Sequence, residues 1–183
     1  MKKIFFFIGM LGAFSILSLN VNAQDDETAT HSLNMGIPEV TLLTGTSSLI
    51  DLELTTTVAG TAISGGIGTG YIQISSIILA TPRTITASVA GVPAGTALAV
   101  TTVVPVNANQ AGVVGTGTAG VSLVNNAGAA TLVTGIGSCY TGTGLEDGYQ
   151  LNYSWNAGAS GDYGSIVATA GVTALVTLTI TGE

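Results

Sequence analysis

Tyr149-Gln150-Leu151-Asn152-Tyr153-Ser154-Trp155 alternates ring or aliphatic side chains with Gln, Asn and Ser at every step. A period of two is that of an extended strand with one face against a core and the other in water. An amphipathic helix would need apolar residues at three- as well as four-residue spacing, and this stretch has none three apart. The same alternation recurs on both sides of it. Upstream it marks residues 41–44, 49–57, 71–75, 84–89, 98–106, 120–124 and 131–134, and downstream residues 172–181. Gly, Pro and Asn punctuate the intervals, so about nine short strands are predicted, the pattern of an antiparallel Ig-like β-sandwich.

The chain is all-β on this reading. The strands are not the unbroken apolar runs of a parallel sheet, and no amphipathic helix of useful length separates them. The Gly-rich stretches 65–70, 112–120 and 135–148 read as loops, because glycine enters positive-φ turns at little steric cost. No fixed-period repeat demands a solenoid. The 46% hydrophobic content is ample for a core.

The N-terminus reads as a secretory leader. Lys2 and Lys3 precede an apolar stretch, residues 4–19, and Val21-Asn22-Ala23 places small residues before Gln24. Residues 1–23 are therefore expected to be a cleaved signal peptide, 24–34 a flexible segment and 35–183 the sandwich domain. The apolar stretch is short for a span of roughly 20 residues, so membrane insertion after cleavage is not expected. Export through the inner membrane follows, with the periplasm, the cell surface and the exterior as destinations.

Charge excludes more than any motif. Both lysines lie in the leader, and Arg83 is the one Lys or Arg beyond it, against ten carboxylates. Such a chain has no basic patch for nucleic acid and no lysine nucleophile or phosphate clamp. Arg83 follows Pro82 in an expected connection between strands, and a structural ion pair with a carboxylate is its default role. Lysine-free edge strands lack a common guard against edge-to-edge pairing.

Chemistry is hard to assemble from these residues. His31 is the single histidine and lies beside the flexible start, so a nucleophile–His–acid set is not expected. Cys139, the single cysteine, can form no internal disulfide and reads as a buried small hydrophobe, with an intermolecular bond as its alternative. Asp51 and Glu53 share a strand face, the one arrangement resembling paired glycosidase acids, but a solvated face explains them. No cofactor is expected. Calcium, held by Asp25-Asp26-Glu27 or Glu146-Asp147, is the sole metal alternative, since it needs only oxygen ligands. Tyr149, Tyr153 and Trp155 are the candidates for stacking on a glycan if their face is exposed, and core residues if it is not. Thr177, Thr179 and Thr181 form a short hydroxyl ladder that strand propensity explains as well as any ice-binding role.

Two blocks carry a resemblance. Thr134-Gly135-Ile136-Gly137-Ser138-Cys139-Tyr140-Thr141-Gly142, followed by Gly148-Tyr149-Gln150-Leu151-Asn152-Tyr153, is one, and His31-Ser32-Leu33-Asn34-Met35-Gly36-Ile37-Pro38-Glu39-Val40 is the other. Together with residues 172–180, they resemble small secreted proteins of Gram-negative bacteria with an Ig-like sandwich, akin to WxL-type and spore-coat-U-type surface modules. The resemblance implies export and a β-sandwich and carries over no catalytic residue.

The expected function is that of an exported, non-enzymatic structural or interaction module of the cell surface or extracellular matrix. Its expected partners are itself or a surface glycan or protein. A carbohydrate-binding or adhesive module is the alternative, and a carboxylate-dependent hydrolase the second alternative. Assembly in the donor-strand manner would need an unfilled groove, and residues 172–181 supply a final strand, which predicts a complete fold.

Overall fold

A computed structural model describes residues 30–55, 58–158 and 162–182. The expected leader and the first part of the expected flexible segment lie outside them, as does Asp25-Asp26-Glu27. The chain divides into two units, residues 1–36 and 37–183. Of the first, the described residues 30–36 are exposed and lack regular secondary structure.

Among its described residues the second unit is all-β, with eleven strands in two antiparallel sheets and two single-turn 3-10 helices. In chain order the strands are β1 (Val40–Gly45), β2 (Gly66–Ile77), β3 (Arg83–Ala90), β4 (Thr96–Val103), β5 (Ala111–Gly112) and β6 (Thr116–Gly117). β7 (Val121–Leu123), β8 (Ala130–Ile136), β9 (Cys139–Tyr140), β10 (Tyr149–Ala157) and β11 (Leu175–Gly182) complete the set. The larger sheet follows the order β5-β9-β2-β10-β4-β7, with β1 also on β2. Ile72 pairs with both Gly45 and Tyr149, and Ser76 with both Thr41 and Cys139. β1 therefore runs along one edge of β2, while β10 and β9 follow each other along the opposite edge. The smaller sheet has the order β11-β3-β8-β6.

Alternation sets the core. Ile72 and Ile74 of β2, Ile85, Ala87 and Val89 of β3, Leu98 and Val100 of β4, and Tyr149, Leu151 and Tyr153 of β10 are buried at every second position. Leu123, Leu132, Val133, Ile136 and Cys139 complete the packed layer. Each strand thus presents one apolar face to the opposing sheet and one Thr-, Ser- or Gln-rich face to water.

Three expectations need correction. Residues 65–70 were expected to form a loop, yet they are the first part of β2. Gly66, Gly68 and Gly70 share the core-facing side, where a Cβ would collide with the backbone of Glu53 or the side chains of Ile50 and Leu52. These glycines make room for the preceding segment to lie across the strand; they do not bend the chain. Residues 49–57, expected as a strand, form no ladder among those described, and Thr55 makes only an isolated bridge to Ser64. Ile50 and Leu52 are half-buried and Asp51 and Glu53 exposed, so the alternation is real while the hydrogen bonding of a strand is missing. Arg83 also departs from its expected loop: it is the first residue of β3 and is buried.

Candidate functional site

The two lateral sides of the sandwich differ. On the side of β6 and β7, backbone hydrogen bonds tie the sheets together. Thr118 donates its N–H to Leu132 O at 2.8 Å and accepts from Thr102 N–H at 3.0 Å, linking β8 to β4. Asn126, held at φ 54°, donates to Val89 O at 3.2 Å and so joins the turn after β7 to β3. On the other side lie β1 and β11, the two edge strands. Each forms a ladder along one edge, β1 with β2 and β11 with β3. No backbone hydrogen bond among the described residues joins β1 to β11.

The side chains along this open seam are apolar and incompletely covered. Leu43 approaches from β1, Ile50 and Leu52 from the segment that crosses β2, and Val176, Leu178 and Ile180 from β11; all six are half-buried against the core. Register explains their direction. Val176, Leu178 and Ile180 stand opposite the buried Val89, Ala87 and Ile85 of β3, so they face inward at the sandwich margin. Thr177, Thr179 and Thr181 face outward opposite Ser88, Thr86 and Thr84, extending the hydroxyl ladder across two strands.

An ion pair pins one end of the seam. Arg83 Nη2 donates to Glu39 Oε1 at 2.6 Å and reaches the carbonyls of Ile77 at 3.4 Å and Val40 at 3.5 Å. The guanidinium side chain is 7% exposed and the carboxylate 56%. A cation so deeply placed needs a partner, and Glu39 supplies it from the residue before β1. Arg83 Nε has no hydrogen-bond partner among the described residues. A shallow cleft over the pair is lined by Glu39, Leu79, Ala80, Thr81, Arg83 and Gly182. A ligand carboxylate entering it would meet a guanidinium whose Nη2 Glu39 already holds.

The aromatic array faces inward. Tyr149 is fully buried and donates its hydroxyl to Val114 O at 2.5 Å; Tyr153 is buried, and Trp155 is half-buried with its indole N–H on Thr96 Oγ1 at 2.9 Å. Burial raises the phenol pKa of both tyrosines, Tyr153 to about 12 and Tyr149 further, with a smaller contribution from nearby Cys139. Neither tyrosine presents a ring face on which a sugar could stack.

The remaining candidates are dispersed. Cys139 is buried, and burial raises its thiol pKa, the opposite of the activation a nucleophile needs. Asp51 and Glu53 are exposed on the segment before β2. Asp147 is half-buried and holds its own loop together: its carboxylate accepts from Gly144 N–H at 2.8 Å and Asn109 Nδ2 at 2.9 Å. Glu146 beside it is exposed, as is His31. Among the described residues no group of three or more His, Cys, Asp or Glu is placed to hold a metal ion, and no helix is long and apolar enough to cross a membrane.

Sequence reasoning missed the seam. Its signal was available in two places: the lysine-free final strand, and the exposed alternation Leu33, Met35, Ile37 in the segment ahead of β1. No family model, curated protein or solved structure matches the chain.

Proposed function

We propose that this chain is an exported, non-enzymatic β-sandwich that serves as a structural or interaction module at the cell surface or in the extracellular matrix and associates with itself. The observation that carries the reading is the open side: the outer edges of β1 and β11 are unpaired among the described residues, and Leu43 on β1 and Val176, Leu178 and Ile180 on β11 are apolar and only half-buried. Natural sheets guard such edges with lysine, proline, bulges or a covering segment. β11 contains no charged residue and no proline, and its eight residues pair with β3 in unbroken register. An edge left in that state is suited to pairing. The charge-poor, Thr-rich outer faces and the apparent leader fit a protein that works outside the cytoplasm.

Fractionation of the native cells tests the address, with N-terminal sequencing of the recovered chain. A mature protein beginning near Gln24 and recovered with the envelope or matrix supports the reading. Recovery of the full chain, leader attached, in the cytoplasm contradicts it.

A further inference from the structure

We propose that residues 31–37 of one copy add as a strand to the free edge of β11 in a second copy, so that copies join head to tail. The inference rests on the self-associating reading above and names the partner as the chain itself.

The donor segment is His31-Ser32-Leu33-Asn34-Met35-Gly36-Ile37. Leu33, Met35 and Ile37 stand at every second position and are 72%, 84% and 81% exposed, with Ser32, Asn34 and Gly36 between them. This is the pattern of a half-buried strand, yet the segment belongs to no sheet among the described residues. Three large apolar side chains in water at strand spacing are a binding face without its partner. Pro38 ends the segment, since it cannot donate to a ladder.

The acceptor matches it in length and period. Leu175–Gly182 is eight residues long, its outer edge is unpaired among the described residues, and Val176, Leu178 and Ile180 line its inner face at the same two-residue spacing. A strand laid along that edge would satisfy the free backbone groups of β11. It would also set three apolar side chains along the margin that Val176, Leu178 and Ile180 line. Main-chain bonds then supply attraction and the alternate side chains supply register. β11 is present in each copy, so this is addition to a finished sheet and not replacement of a missing strand.

Geometry favours a second copy over the segment's own sandwich. Gly182 stands opposite Arg83, and Arg83 holds Glu39, so β11 ends where β1 begins. A segment folding back in its own copy would have to reverse within Pro38 and Glu39 without losing the ion pair. It would also run parallel to β11. A segment from another copy is free to pair antiparallel, the more stable ladder. A contact between two different surfaces of the same chain does not close on itself, and it propagates into a fibre unless the rotation closes a ring.

The test is sedimentation of the purified mature chain over a concentration series, beside the double variant Leu33→Asp/Met35→Asp. Both positions are exposed, so circular dichroism of the variant should match the parent. The wild type should grow in mass with concentration, and the variant's association should weaken at least tenfold. A fluorescent peptide of residues 31–37 should bind the double variant, whose β11 edge is intact. Equal association with and without the aspartates overturns the proposal and leaves self-association standing. A wild type that stays monomeric overturns both. A peptide that does not bind the variant overturns the proposal by itself.

Discussion

The two sides of the sandwich are made of the same residue types and end differently. On the closed side Leu98, Leu123, Leu132 and Val133 are buried, and Thr118 and Asn126 carry hydrogen bonds from one sheet to the other. On the open side Leu43, Val176, Leu178 and Ile180 have the same chemistry and are only half-buried. Hydrophobicity therefore does not decide coverage here. Connection does: short strands between β4 and β8 wrap the closed side, whereas on the open side Arg83 bonds Glu39 and Val40 at one end and no backbone hydrogen bond among the described residues joins β1 to β11. The lesson is that a sheet edge is finished by chain routing, and a chain that leaves one edge unfinished leaves a place for another.

The sharpest way to break this comparison is to truncate one residue from each side. Leu132→Ala should cost about 2–5 kcal/mol, the range for a buried leucine. Leu178→Ala should cost about half as much, because its side chain still meets water in the monomer. Urea unfolding of dilute protein measures both. Equal losses would mean that the open side is as covered as the closed one.

A smaller effect is expected where the open side is pinned. Glu39→Ala leaves the Arg83 guanidinium buried without its carboxylate and should destabilise by about 1.5–3 kcal/mol, the value of a hydrogen bond to a charged group. Trypsin reads the same site, since beyond Lys2 and Lys3 the chain offers Arg83 alone. Native protein should resist cleavage and Glu39→Ala should be cut faster; equal rates would show that the pair does not hold the end of β1 on β3.

Alkali probes the interior that both sides share. Tyr153 has its pKa raised from 10 to about 12 by burial, so the folded state favours the neutral phenol. The stability this contributes is complete below pH 10 and is lost as pH rises from 10 through about 12. Tyr153→Phe should flatten that part of the pH profile, and an unchanged profile would place the phenol in water.

Much of the fold is legible in the sequence because alternation is a direct report of which face is wet. It marks β10, β3 and β11 closely, and it places Tyr149 and Tyr153 among the residues that could serve as core. It fails where one cue has two physical meanings. Glycine at 66, 68 and 70 looks like loop punctuation but provides space for Ile50 and Leu52 to cross β2. Alternation at 49–57 reports a face and says nothing of a hydrogen-bonded neighbour. Arg83 looks like loop because charge and Pro82 are together, whereas a partner brought from position 39 lets it lie inward. The seam is legible only in part, since whether an edge is covered depends on contacts far apart in the chain. The alternation at 33, 35 and 37 is visible, but its neighbour Pro38 and the acidic start make it read as a tail.

Amide hydrogen exchange at low and high protein concentration tests the central claim most directly. In dilute solution the β8 amides should be strongly protected, while the outward-pointing amides of β11 and those of residues 31–37 exchange fast. Raising the concentration should slow exchange in residues 175–182 and 31–37 together and leave β8 unchanged. Full protection of β11 in dilute protein, or exchange in both segments that ignores concentration, would contradict an open side completed by a second copy.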